Sequence, residues 1–453
     1  MTTSRNFHTL YRESEFVPNY KTYVSYTIIF YVWVLLEGIF RKWLFPGASS
    51  ALFLVKFGIW GIVTLYFILD GKKISFRTYP FAGITFFYVF YGLLSVLVAS
   101  FNYNLIVGLL GVMIHFTFIS IAFILPIVIR TRQQIDKIFE ILTYLIIFTA
   151  SVSIIQYYSP FDSFINRYAT EEEALVATVD EYARVTSIFS YISSHTTFLN
   201  YVLLFIFVKF FFIDRLNVKV IILIFSFGLG IVSALMTGSR GLTSFLGLEC
   251  SLIALVTSFT TTSGSKFVIY ISRIIFMGVA LFLLITETSI GTQAFSSLNK
   301  RFTESGDTEV RIFDALTPFK YFDNAGWVGY GIGTTYQGAA AMVSDWKDMP
   351  RGFEEEQERL LLELGLIGYL IVLALRLSIC VFAFRVYLLI KERYLKMLTL
   401  ACFLLTLLPL FSFGSLIINW MDSILYWSVV GLLVAFRNIA QKQDLAPNPL
   451  VVY

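Results

Sequence analysis

The sequence predicts an all-α, polytopic membrane protein of about twelve transmembrane helices. Two observations carry that prediction. Hydrophobic residues make up 57% of the 453-residue chain and charged residues only 14%, a balance unlike that of soluble domains. The apolar residues also fall in continuous runs of roughly twenty, the length that crosses a bilayer as a helix. A membrane β-barrel would instead show alternating segments of roughly ten residues.

The runs follow in order at roughly 22–40, 51–69, 79–100, 106–129, 138–158, 196–213, 218–237, 241–260, 267–287, 359–380, 397–416 and 419–436. The leading stretch MTTSRNFHTLYRESEF is polar for too long to be a signal peptide, so the first run is expected to stay as an anchor. Basic residues test the count. With the N-terminus inside, about eighteen Lys and Arg fall in inward segments, among them Lys72, Lys73, Arg130, Arg132, Arg393 and Lys396. Five fall in the short outward loops: Arg41, Lys42, Arg167, Arg184 and Arg240. That asymmetry puts both termini in the cytoplasm. It also accounts for the net charge of +4 without a nucleic-acid face. Cys250, Cys380 and Cys402 all lie inside apolar runs and no CxxC occurs, which argues against disulfides and a thiolate metal site.

Three regions result: a membrane domain over 1–287, an outer loop over 288–358, and a second membrane domain over 359–453. A loop this long with elements of its own is usually functional. It carries an amphipathic stretch at 308–322 (TEVRIFDALTPFKYF) and a glycine-rich run, GWVGYGIG, at 326–333. Without a βαβ context that run reads as a tight turn, not a nucleotide loop. GxxxxGK[ST], HExxH, DxD and GxSxG are absent, and neither cofactor nor metal is expected.

The basic residues stranded outside supply the candidate site. Arg240 sits in GSRG (238–241), where Ser239 is the expected N-cap of the following helix. A helix N-terminus and an Arg fork together make an anion site; the competing reading is an interfacial Arg that snorkels. Arg301 and Arg311 stand in the long loop, where nearby Glu and Asp could simply pair with them. In EGIFRKW (37–43), Arg41 and Lys42 lie at the level of a lipid phosphate, with Glu37 a turn deeper; ordinary anchoring beside Trp43 is the alternative. ARVTSIFSYISSH (183–195) brings Arg184 and His195, the one histidine that the topology places outside. In GFEEEQERLLLELGLIG (352–368), helical spacing puts Glu356, Arg359 and Glu363 on one face, with Glu356 and Arg359 able to pair. Three consecutive glutamates also suit a helix N-terminus. Partial burial at the membrane surface would move one of them toward a general base.

GSRG (238–241), the long outer loop with spaced arginines, GYGIGT (329–334) and ELGLIG (363–368) together resemble the O-antigen ligase and O-antigen polymerase superfamily. In topology the resemblance covers most of the chain; in sequence it is confined to about 184–368. It implies a GT-C-like, metal-independent glycosyltransferase of the bacterial inner membrane with its active site facing the periplasm. The implied donor is a glycan on undecaprenyl diphosphate, and the implied partners are a glycan acceptor, the bilayer, a chain-length regulator and a flippase. Arg240 and Arg311 match the family's arginines, and Arg301 is a weaker match. Arg184, Arg41, Lys42, His195 and Arg359 are candidate substrate contacts. The family often has His-Asn eleven residues before the Gly of ELGLIG. Here that position is Glu354, so Glu354, or Glu356 as second choice, is the expected base, and a polymerase-like branch is favoured over a ligase. The rivals are a ligase acting on lipid A core, a transporter or flippase, and an assembly partner without activity.

Overall fold

A computed structural model describes residues 19–71, 74–169, 177–179, 182–213, 217–260, 264–304, 317–343, 349–350, 355–411 and 415–445. Arg311 and Glu354, and most of the 308–322 stretch, lie outside the described residues. Among those described, twelve helical segments are long and apolar enough to cross a membrane. The chain is a multi-pass, helical membrane protein.

The helices are α1 (Tyr20–Ile39), α2 (Ser49–Leu69), α3 (Ala82–Asn102), α4 (Leu105–Phe116), α5 (Ile121–Val128), α6 (Arg132–Tyr158), α7 (Ile192–Phe211), α8 (Val218–Met236), α9 (Arg240–Phe259), α10 (Gly264–Glu287) and α11 (Ser289–Glu304). They continue with the short α12 (Phe322–Ala325), then α13 (Glu356–Leu389), α14 (Arg393–Leu407) and α15 (Trp420–Leu445). A two-residue hairpin, β1 (Thr178–Val179) against β2 (Tyr182–Ala183), is the sheet seen among the described residues.

Local chemistry sets several boundaries. Thr131 and Gln134 form a reciprocal capping box at the start of α6. Asn104, Asn217 and Glu392 accept backbone N–H groups at the starts of α4, α8 and α14. Ser239 caps α9 by accepting from the Leu242 N–H at 3.3 Å, as the sequence predicts.

Burial sorts the helices into centre and rim. The most apolar stretch of α7 is 78% buried, while that of α10 is 11% buried. The exposed residues on rim helices are large and apolar, such as Ile62, Phe86, Phe276 and Phe282, as a lipid-facing surface requires. The interior is aliphatic and aromatic from α5, α7, α14 and α15.

Two spans are broken. The fourth, Leu105–Val128, is read from the sequence as one helix; the structure divides it into α4 and α5 around residues 117–120. In the tenth, Gly365 has φ 63° and ψ −174° inside α13, a left-handed backbone that glycine adopts without steric cost. A break in a membrane helix orphans backbone groups that protein must satisfy. Here the glycine-rich segment does so. Tyr330 and Gly331 N–H donate to the Leu362 and Glu363 carbonyls, at 2.8 and 3.0 Å. In return, Leu366 and Ile367 N–H donate to the carbonyls of Gly326 and Trp327, at 3.0 and 3.2 Å.

Candidate functional site

The 326–335 segment is therefore more than the surface turn its composition suggests. It is wedged among α3, α4 and α13. A Cβ on Gly331 would lie 2.2 Å from the Ala99 nitrogen, and one on Gly333 would lie 2.5 Å from the Val107 carbonyl. Glu363 locks the wedge. Its carboxylate accepts from the Gly333 N–H (2.8 Å), the Thr335 N–H (3.0 Å) and the Thr335 hydroxyl (2.6 Å). The same carboxylate meets His115 Nε2 at 2.8 Å, and His115 Nδ1 meets the Tyr88 hydroxyl at 2.7 Å. With the carboxylate as acceptor, Nε2 carries a proton, and Nδ1 shares the second hydrogen bond with the Tyr88 hydroxyl. Arg359 adds a hydrogen bond from Nη1 to the Thr335 carbonyl at 2.9 Å. Two of the motifs that carry the family resemblance, GYGIGT and ELGLIG, thus pack as one unit.

Glu356, Arg359 and Glu363 do begin the same helix, but they reach different partners. The expected Glu356–Arg359 pair is replaced by Glu356–Arg376 at 2.9 Å. Arg376 lies almost six turns further along α13, and the kink at Gly365 between them breaks the simple helical spacing. The other Glu356 oxygen accepts from the backbone N–H groups of Leu416 and Ile417, at 2.8 and 3.2 Å. Glu356 is buried, with one oxygen holding this turn and the other facing the Arg376 guanidinium.

Two of the candidate arginines, and the backbone of a third, come together where α8 meets α9. Arg184, next after β2, donates from Nε to the Thr237 carbonyl at 2.9 Å. Arg240, the first residue of α9, donates from Nη1 to the carbonyl of Arg301 at 3.2 Å. Arg301 sits in the last turn of α11. The Ser239-capped N-terminus of α9 opens at the same point, so cationic side chains and a positive dipole end share one place.

The segment that follows Arg184 runs to a second polar group. Gln156 Oε1 accepts from the Thr186 and Ser187 N–H groups, at 3.1 and 2.6 Å. Lys42 Nζ donates to the Thr186 hydroxyl and the Ser187 carbonyl, both at 2.6 Å. Arg41 donates to Glu37 (2.8 Å), Ser49 (3.1 Å), Ser190 (3.2 Å) and the Ala169 carbonyl (3.2 Å). Lys56 Nζ reaches both Glu37 oxygens at 2.8 Å. Arg41 and Lys42 are thus buried instead of standing exposed at lipid-phosphate level, because Ala169 and residues 186–190 pack against them. His195 is fully buried too, with Nε2 at 3.1 Å from Ser153 and 3.0 Å from Ser233. Nearby, burial pushes the Tyr336 phenol above its usual range, so it stays neutral beside Trp420.

Sequence reasoning passed over Lys56, Arg376 and Asp422. Asp422 is buried and accepts from Thr197, Asn419 and the Ser415 N–H. Lys56 and Asp422 are each the single ionisable residue of an apolar run, and Arg376 stands alone beyond the charged start of its own; that isolation was the available signal. No protein-family model matches the sequence, and no curated protein matches it.

Proposed function

We propose that the chain is a membrane glycosyltransferase that polymerises lipid-linked repeat units of an O-antigen or exopolysaccharide outside the bacterial inner membrane. It moves a glycan from undecaprenyl diphosphate to an acceptor sugar hydroxyl. The observation that supports this reading is the placement of Arg184 and Arg240 at the capped N-terminus of α9, beside the Arg301 backbone. A diphosphate is the anion such a place favours, because N–H groups and guanidinium forks both address its oxygens.

In this scheme the acceptor oxygen bonds to the anomeric carbon as the bond from that carbon to the diphosphate oxygen breaks. The leaving diphosphate takes the electron pair, and the arginine group stabilises the charge as it develops. The hydroxyl proton goes to Glu354. Glu356 is less suited to that role, since Arg376 and two N–H groups already occupy it. The wedge is held by Glu363 within the first turns of α13, which begins at Glu356.

Deletion of the gene, followed by analysis of the lipid-linked intermediates that accumulate, tests the reading. Single repeat units on the lipid support a polymerase. Finished lipid-linked polymer supports the ligase variant, and unchanged surface polysaccharide removes both.

One observation favours transport as a second reading. The two discontinuous spans meet at an ionisable pair, His115 and Glu363, an arrangement found at transporter binding sites. Uptake by proteoliposomes that is lost in H115A would support it.

A further inference from the structure

Glu249 is the tenth residue of α9, a helix of 20 residues. At about 1.5 Å per residue it lies roughly 14 Å from the helix start, near the middle of a hydrocarbon core about 30 Å thick. Its side chain turns into the bundle, and the residue is 3% exposed. Neither carboxylate oxygen has a hydrogen-bond donor among the described residues. The polar side chain beside it is Asn200 of α7, whose Oδ1 also lacks a donor. Three acceptor oxygens thus meet in a dry interior. A bare carboxylate there is costly. A proton on Glu249 supplies the missing donor, because its O–H can bond to Asn200 Oδ1. Glutamine would make the same contact without titrating, so what the acid adds is a proton that can leave.

A polar row leads from this place to the end of the bundle where α7 and α15 begin. Tyr201, next to Asn200 in the chain, is within electrostatic reach of both Glu249 and Asp422. Asp422 accepts from Thr197 and Asn419, and Asn419 accepts from the half-buried Ser194 at 3.1 Å. The other titratable groups around the row are Cys250, Cys402 and Tyr426, whose neutral forms add no competing charge. We infer that Glu249 is a proton-binding site at the centre of the bundle, closed by Asn200, whose proton exchanges with one end of the bundle through Tyr201 and Asp422. On this route a proton reaches the Tyr201 oxygen from Asp422 as the tyrosine's own proton passes to Glu249. The phenol is neutral before and after. The site does not depend on the transferase reading, since neither Arg240 nor Glu354 takes part in it.

The test is infrared spectroscopy of the full-length protein in nanodiscs at neutral pH, before and after transfer to heavy water. The parent should show a carbonyl band of a protonated carboxylic acid that is missing from E249Q. E249D keeps the acid and should show that band at a moved frequency, which assigns it even if E249Q folds poorly. In heavy water the parent band should shift as the proton exchanges for a deuteron. Y201F keeps the ring and removes the hydroxyl, and should slow that shift by about tenfold or more, the scale of losing a positioned proton-transfer group. The same carboxylic acid bands in the parent, E249Q and E249D would mean that Glu249 is ionised and held by the Asn200 amide, which overturns the site. A Glu249 band that never shifts in heavy water, or that shifts equally fast in Y201F, overturns the exchange route.

Discussion

His115 and Glu363 meet at 2.8 Å across the two broken spans of the bundle. One ends α4, where the fourth span breaks; the other sits two residues before the kink at Gly365. The pair is buried, and the carboxylate also takes three donors from the glycine-rich segment. This single carboxylate therefore joins three parts of the chain that are far apart in sequence.

E363A should destabilise the protein by about 3–5 kcal/mol, the cost of leaving buried partners of a charged group unpaired. Thermal unfolding of the detergent-solubilised protein reads this directly. A melting temperature within about 1 °C of the parent would show that Glu363 does not hold the wedge, since a loss of that size shifts Tm by several degrees.

G365A places a Cβ 2.4 Å from the Trp327 carbonyl oxygen and asks alanine to adopt φ 63°. The backbone strain alone is of order 1–3 kcal/mol, and the contact requires the 326–331 segment to move. A cysteine at Val328 should then react faster with a membrane-impermeant maleimide than it does in the parent. Equal rates would mean that the two motifs do not depend on each other.

Glu356 and Arg376 allow a double-mutant cycle. E356L and R376M should each destabilise by about 3–5 kcal/mol, and the apolar pair E356L/R376M should lose less than the sum, because desolvation of both charges is avoided together. Additive losses would argue that the pair is not coupled.

Much of the fold is legible in the sequence because lipid imposes a length and a composition on each span. The twelve runs, their order and the Ser239 cap all follow from residues close together in the chain. The break in the fourth span does not, since the apolar character continues through 117–128 (TFISIAFILPIV) and only Thr117, Ser120 and Pro126 hint at it. The wedge escaped for a different reason. GYGIGT and ELGLIG are separate in sequence, and their backbone hydrogen bonds are long-range. Glu37 was readable as the partner of Arg41 by i, i+4 spacing, whereas Lys56 joins them only once α2 folds back beside α1. Arg184 and Arg240 were singled out one at a time by charge sorting and Arg301 by its place in the long loop, and the approach of Arg240 to the Arg301 backbone appears only in three dimensions.

The most direct test of the proposed function is R240A, expressed from a plasmid in a strain lacking the gene, with surface polysaccharide and membrane protein level measured together. Loss of the arginine at the developing diphosphate should cost at least about 10²-fold in transfer. The expected result is accumulation of single lipid-linked repeat units at an unchanged membrane level of the protein. Full-length polysaccharide in that strain would contradict the account.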